Sequence, residues 1–262
     1  MSGEDLKASL LELEDRLIEY RWIEGSQPGA ADLVMLHEGL GSLSLWKDFP
    51  EHLAAATGCR VLVYSRHGYG GSSILTATRE PGYMHDEARV WLPQILRRLG
   101  VRRPVLFGHS DGASIALIHA AEPTAELAGL ILLAPHVMVE DLTLASIAKA
   151  RVAFETTDLP QRLARHHRDV QATFRGWNDI WLDAAFRSWN IEGLLGAIRC
   201  PLLAVQGRED EYGTLEQVEI LRRAVAGSEV RVLEHCRHSP HRDQPQAVLD
   251  AARDFLASLN AS

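Results

Sequence analysis

From residue 30 onward, short apolar runs alternate with longer stretches whose apolar positions recur at helical spacing. "DLVMLH" reads as a strand and "LWKDFPEHLAAATG" as a helix closed by glycine. "RVLVYS" is the next strand, and "HDEARVWLPQILRRLG" a helix bent near Pro93 and again stopped by glycine. "RPVLF" and "DGASIALIHAAE" repeat the strand and helix pair. "LAGLILLAP", "PLLAVQG" and "EVRVLEH" predict three further strands, with "TLEQVEILRRAVAG" and "QAVLDAARDFLASL" as closing helices. This alternation predicts an α/β fold, a mostly parallel twisted sheet covered by helices on both faces. Functional residues then belong at the carboxyl ends of the strands.

The rhythm breaks once. Roughly sixty residues between 137 and 198 read as helices with no strand among them, too long for an unstructured loop in a compact domain. The expected organisation is a core over 1–136, a helical cap over 137–198 inserted in it, and the rest of the core over 199–262.

Composition narrows the function classes. A chain of 262 residues with no Pro/Gly/Ser-rich linker and no internal repeat fits one large domain. A formal net charge of −8 with scattered basic residues argues against nucleic acid as a partner. No run of about eighteen apolar residues appears, so no membrane span is expected. The N-terminus "MSGEDLKASLLELEDRL" is acidic and amphipathic where a signal peptide would be basic and then apolar, which points to the cytoplasm.

Cys59, Cys200 and Cys236 are widely spaced with no C-x-x-C, so free thiols are expected. "RHHR" at 165–168 has no carboxylate at ligand spacing, and neither a metal nor a cofactor is implied. The cationic stretch "LPQRLARHHRDV" reads as a solvated helix face, with recognition of an anionic substrate such as an acyl-CoA as the sharper alternative.

The candidate chemistry centres on "LFGHSDGASIAL", residues 106–117. Gly108 and Gly112 flank Ser110 as G-x-S-x-G, between a buried strand and an apolar helix. A serine on so sharp a turn projects its hydroxyl above the sheet only if strand and helix pass closely, hence the small neighbours. A hydroxyl also needs a base to take its proton and a third group to orient that base. Candidates follow the last two strands: Asp210 in "PLLAVQGRED", with Glu209 and Glu211 as alternative acids, and His238 in "EVRVLEHCRHSPHRDQP". His235 and His241 compete with His238 less well, the first because it falls within the predicted strand, the second as a surface or supporting histidine.

In these motifs and their order, Ser110, Asp210, His238, the chain resembles the α/β-hydrolase superfamily over nearly its whole length. "GRED" matches the family's Gly-to-Asp spacing at Gly207 and Asp210. "RHSPHRDQP" matches its histidine segment at His238, Asp243 and Pro245, with Arg237 where glycine is usual. The resemblance implies a nucleophile, acid and base at those three positions. It also implies an oxyanion hole built from the backbone N–H groups of Asp111 and Gly39. In "LHEGLGSLSLW" the interval from His37 to Trp46 is kept, and Glu38 replaces the usual glycine.

An ionised Glu38 beside developing negative charge opposes catalysis unless it is paired or turned away. A hydrogen bond to a histidine or arginine is the plain reading, and recognition of a cationic or hydroxyl group of the substrate the sharper one. "YSRHGYGGSS" resembles the family's glycine-rich loop with Ser65 in place of aspartate, and is read as architectural. Ser110 at the elbow argues against the branch with an aspartate nucleophile. More narrowly, "LHEGLGS", "GHSDGASIALIHA", "GWNDIWL" and "HSPHRDQP" resemble a subgroup of bacterial predicted hydrolases.

Trp177 and Trp181, at i and i+4 in "RGWNDIW", share one helical face, which fits either core or the wall of a substrate pocket near Ser110. The expected function is a serine hydrolase acting on a small or medium carboxylic ester through an acyl-enzyme. Carbon–carbon bond hydrolysis, thioester or lactone cleavage and acyl transfer are alternatives on the same residues. A catalytically weak small-molecule binding protein is the alternative of another class.

Overall fold

The computed structural model describes residues 8–259, so the start of the acidic N-terminal stretch lies outside the described residues. Eight strands, β1 (Ser9–Leu13), β2 (Arg16–Ile23), β3 (Leu33–Leu36), β4 (Val61–Tyr64), β5 (Val105–His109), β6 (Gly129–Leu133), β7 (Leu202–Gly207) and β8 (Glu229–Leu233), form one sheet. Its order is β1-β2-β4-β3-β5-β6-β7-β8, antiparallel at β1, β2 and β4 and parallel from β4 onward. The chain moves from β3 to β4 on one side and then to β5 on the other. The carboxyl ends of β3 and β5 therefore border the crevice where ligands bind in open α/β sheets.

The inner strands are buried on both faces, and successive residues feed two cores. Val34 and Leu36 of β3 and Leu106 of β5 join one, while Leu33, Met35, Val105 and Phe107 join the other. Helix α1 (Phe49–Thr57) covers the second face. The first carries α2 (Tyr83–Asp86) and α3 (Leu92–Arg98), joined by a wider π-type turn at Glu87–Trp91, and α4 (Asp111–Ala121). The predicted bend near Pro93 takes the form of that turn, since proline supplies no N–H to the helical ladder.

Between β6 and β7 lie α5 (Asp141–Thr156), α6 (Leu159–Leu163), α7 (Val170–Trp181), a 3₁₀ turn at Ala184–Phe186 and α8 (Glu192–Leu195). An isolated bridge, Met138 to Asn190, joins the two ends of this excursion. Helices α9 (Glu216–Ala224), α10 (Pro240–Asp243) and α11 (Pro245–Leu259) complete the chain, and Phe255 and Leu256 of α11 pack beside α1. Among the described residues no helix is long and apolar enough to cross a membrane.

Three local expectations change. β1 and the first residues of β2 fall in the amphipathic N-terminal stretch, where the sequence suggests no element, and their charged positions stay half-buried or exposed. The last strand ends at Leu233, so His235 stands in the following turn at φ 53° rather than within the strand. That residue, not Arg237, takes the left-handed conformation of the loop, which leaves position 237 no need of glycine. The stretch 165–168 is not wholly solvated either: His167 is buried, its Nδ1 accepting from the Gly70 N–H at 3.0 Å and its Nε2 donating to the Leu40 carbonyl at 3.0 Å.

The turn from β5 into α4 is as tight as its glycines require. A Cβ on Gly108 would stand 2.6 Å from Ala113 Cα, and one on Gly112 only 2.1 Å from the Leu36 carbonyl oxygen. Neither obstacle is a side-chain end that can swing aside. Gly112→Ala is expected to lower stability by about 1–3 kcal/mol or more through overpacking. Thermal unfolding checks this, and an unchanged Tm would contradict it.

Candidate active site

Ser110 is the residue that turns the chain. Its φ of 53° and ψ of −119° are unusual for a residue with a side chain, and the surroundings hold it there. Its N–H donates to the Leu133 carbonyl at 2.9 Å, and its own carbonyl accepts from Ala113 N–H at 2.8 Å and Ser114 N–H at 3.0 Å. The hydroxyl is left free to face the carboxyl edge of the sheet.

There it meets His238. Ser110 Oγ lies 2.9 Å from His238 Nε2, and His238 Nδ1 lies 2.9 Å from both carboxylate oxygens of Asp210. A carboxylate only accepts, so Nδ1 carries the proton and Nε2 presents a lone pair to the serine hydroxyl. Asp210 is itself fixed: Oδ1 accepts from the Tyr212 N–H at 2.8 Å and the Gly213 N–H at 3.2 Å, and Oδ2 from Gln206 Nε2 at 2.8 Å. Burial disfavours charge on both partners, yet each offsets it for the other, raising the His238 pKa and lowering that of Asp210. The competing acids sit elsewhere. Glu209 faces the exposed His235 at 3.4 Å, and Glu211 accepts from the His238 backbone N–H at 3.3 Å.

The loop after β3 is held from beneath. His37 Nδ1 donates to the Glu38 carbonyl at 2.7 Å, the Arg66 guanidinium donates to the same oxygen at 3.0 Å, and Gly41 N–H adds a third bond at 3.0 Å. A trans peptide points its C=O and N–H in opposite directions, so pinning the Glu38 carbonyl inward turns the Gly39 N–H outward. Neither that N–H nor the Asp111 N–H at the start of α4 has a partner among the described residues. Position 39 also has no room for a side chain, because a Cβ would stand 2.0 Å from Trp177 Nε1.

Glu38 turns its carboxylate back over Gly41, where a Cβ would stand 2.3 Å from Oε2. It faces His109 Nδ1 at 3.5 Å and Arg242 at 3.6 Å. Burial would raise its pKa, but His109 and Arg242 outweigh burial and hold it well below the usual carboxylate range. His109 Nε2 donates to the His238 carbonyl at 2.7 Å, so the same histidine braces the loop that carries His238. His241 is buried rather than superficial, packed between Trp46 and His109 with ring centroids 4.7 and 4.9 Å away.

These groups border a cavity of about 180 Å³ whose walls include Glu38, Gly39, Ser110, Asp111 and His238. Trp177 and Trp181 both line it, so the aromatic face of α7 is at once core and pocket wall. Trp181 Nε1 donates to Tyr83 Oη at 3.1 Å, and Tyr83 donates to Asp111 Oδ2 at 2.7 Å. Trp189 packs instead on Phe186, ring centroids 5.5 Å apart. His136, Thr143, Ile147 and Tyr212 complete much of the wall and were not singled out from sequence. For His136 the signal was its place directly after a strand-forming run, "LILLAPH".

A wider cleft of about 940 Å³, around Cys59, Cys200 and Arg103, lies at the amino ends of the strands, away from Ser110. Among the described residues no cluster of histidine, cysteine and carboxylate side chains is placed to hold a metal ion.

Residues 33–251 match the model of a family described as "Alpha/beta hydrolase family". The chain is 24% identical over 260 residues to a 2-succinyl-6-hydroxy-2,4-cyclohexadiene-1-carboxylate synthase of Klebsiella pneumoniae, covering 90% of this chain and 98% of that one. It is 23% identical over 277 residues to a 2-hydroxy-6-oxo-6-phenylhexa-2,4-dienoate hydrolase of Comamonas testosteroni, covering 95% and 94%. The crystal structure of the enol-lactonase from Burkholderia xenovorans superposes with a TM-score of 0.75 at 20% identity over 95% of this chain and all of that one, a likeness of fold. The sheet order, the strand-to-helix elbow and the family match over most of its length agree: the chain belongs to the alpha/beta hydrolase family.

Proposed function

We propose that the protein is a serine hydrolase that cleaves a small or medium carboxylic ester through an acyl-enzyme. The observation that carries this reading is the unbroken run from Ser110 Oγ to His238 to Asp210 at hydrogen-bond distances, beside two unpartnered backbone N–H groups. In the proposed reaction His238 Nε2 takes the hydroxyl proton as Ser110 Oγ attacks the ester carbonyl. The Gly39 and Asp111 N–H groups stabilise the resulting oxyanion. His238 then protonates the departing alcohol, and water, activated by the same imidazole, releases the acid.

The helical excursion over 137–198 acts in this reading as a cap that shapes the pocket and supplies no reacting group. Carbon–carbon bond hydrolysis is the second reading, favoured by the name of the Comamonas relative, a dienoate hydrolase, and would use the same nucleophile and base.

A fluorophosphonate probe followed by p-nitrophenyl esters of graded acyl length tests the proposal. Labelling of Ser110 with ester turnover is expected, and neither labelling nor turnover would overturn it. Trp177→Ala is expected to change the ranking of acyl lengths, one pocket methylene being worth about 1–3 kcal/mol between competing substrates. A uniform loss across the panel would place the substrate wall elsewhere. Trp181→Ala should also lower stability by about 3–5 kcal/mol, because the ring is fully buried and anchors Tyr83.

A further inference from the structure

Most polar side chains around the cavity are already engaged within the protein. Thr143 donates to the Tyr212 carbonyl, Trp181 to Tyr83, and Asp111 accepts from Tyr83. Glu38 faces His109 and Arg242, and Glu211 accepts from the His238 N–H. Trp177 Nε1, the Tyr212 hydroxyl and the imidazole of His136 make no hydrogen bond among the described residues, and of the three His136 is the most deeply buried: it is 2% exposed, and its Nδ1 is shut away from solvent without a partner.

Its ring sits between Trp181 and His238, with centroids 5.3 and 5.6 Å away. Its backbone is fixed by Ser114 Oγ, which donates to the His136 carbonyl at 2.6 Å. A buried polar group without a partner is costly, and such groups persist where a ligand completes them. Burial, helped by the neighbouring His238, pushes the imidazole down to about 3, so it is uncharged at neutral pH and offers one donor and one acceptor.

The charge of the wall adds a second constraint. Glu38, Asp111 and Glu211 line the cavity and no lysine or arginine does; Arg242 faces Glu38 at 3.6 Å and Arg66 stands 4.0 Å from Asp111, both outside the lining. A carboxylate on the substrate would enter a partly desolvated site with no cation in its lining, the nearby Arg66 and Arg242 being already paired with Asp111 and Glu38.

Building on the hydrolase reading above, we propose that His136 is a specificity-determining residue that hydrogen-bonds an uncharged oxygen of the substrate, and that the pocket takes neutral oxygen-bearing esters and rejects carboxylate-bearing ones. The class thus differs from that of the Klebsiella and Comamonas relatives, whose names describe carboxylate compounds.

Two pairs of nearly isosteric esters test the hydrogen bond: 1-naphthyl methoxyacetate against 1-naphthyl butyrate, and 2-methoxyethyl against butyl benzoate. The readout is each pair's kcat/KM ratio in His136→Leu relative to wild type, which cancels intrinsic reactivity. The ratio is expected to fall about tenfold in one pair and to recover in His136→Gln, whose amide again donates and accepts. Ratios unchanged in both pairs would overturn the role of His136.

The charge is tested on wild type alone, so a variant that fails to fold does not decide the matter. The 1-naphthyl hemiester of succinic acid should react more than tenfold more slowly than its methyl ester. Equal rates would overturn the exclusion of carboxylates. Wild type that turns over none of these esters and leaves Ser110 unlabelled would overturn the hydrolase reading itself, and the substrate class with it.

Discussion

Replacing Ser110 with alanine is expected to abolish both fluorophosphonate labelling and ester turnover, with a rate loss on the order of 10⁴-fold or more. The size follows from what the hydroxyl does in the proposed mechanism. It is the atom that forms the bond, so without it the base, the acid and the oxyanion donors have nothing to act upon together. The backbone turn should survive the change. Its strained φ of 53° is fixed by Ser110 N–H to Leu133 and by the bonds its carbonyl accepts from Ala113 and Ser114, none of which uses the side chain. Circular dichroism and Tm should therefore match wild type, which separates loss of chemistry from loss of fold. Persistent labelling at another serine in Ser110→Ala would sink the assignment.

Asp210→Asn should leave a folded protein whose turnover is lower by about 10⁴-fold. An asparagine that keeps the bonds from Tyr212 and Gly213 at one end presents its NH₂ to His238, and the imidazole then turns its proton towards Ser110. The pH profile offers a second readout. His238 acts only when neutral, so kcat/KM falls as pH drops through its pKa. Burial alone would lower that pKa, but the Asp210 charge and hydrogen bond raise it above the ordinary histidine value. The acidic limb of the wild-type profile is expected above pH 6.5, about where an unperturbed histidine titrates. In Asp210→Asn the limb should move to lower pH, because the charge that favoured the imidazolium is gone. Glu209→Gln and Glu211→Gln should do far less, since neither carboxylate touches the imidazole nitrogens. A glutamine variant as damaging as Asp210→Asn, with the fold intact, would move the acid.

Glu38 shows how a charge can stand beside a candidate oxyanion hole without cancelling it. Its carbonyl is pinned by His37, Arg66 and Gly41, which aims the next N–H outward. Its carboxylate folds back over Gly41 towards His109 and Arg242. The backbone and the side chain of one residue thus take separate tasks: one orients a donor, the other faces two basic groups that offset its charge. Both glycines in "EGLG" have a local reason, one because Trp177 occupies the place of its Cβ, the other because Glu38 does.

Much of the fold was legible in the chain, because the inner strands are uniformly apolar and the helices that cover them carry a 3.6-residue period. The β5–α4 elbow was legible for a different reason: backbone passing within van der Waals distance of backbone tolerates only glycine, so a steric demand leaves a spelling. Ser110, Asp210 and His238 could be expected to meet because each follows a strand end, and parallel strands gather their carboxyl ends at one edge.

The β1–β2 hairpin was not anticipated, because β1 is a half-solvated edge strand and the charged positions around it mask the alternation that marks a strand. Tertiary structure alone set Asp210, and not its glutamate neighbours one position away, at hydrogen-bond distance from the His238 imidazole. It also brought His167, distant in sequence and written among arginines, beneath the Leu40 carbonyl, and set His136 unpartnered beside His238. Local periodicity fixes which face of an element is apolar. Where one polar side chain ends, and whether anything answers it, depends on groups brought together from far along the chain.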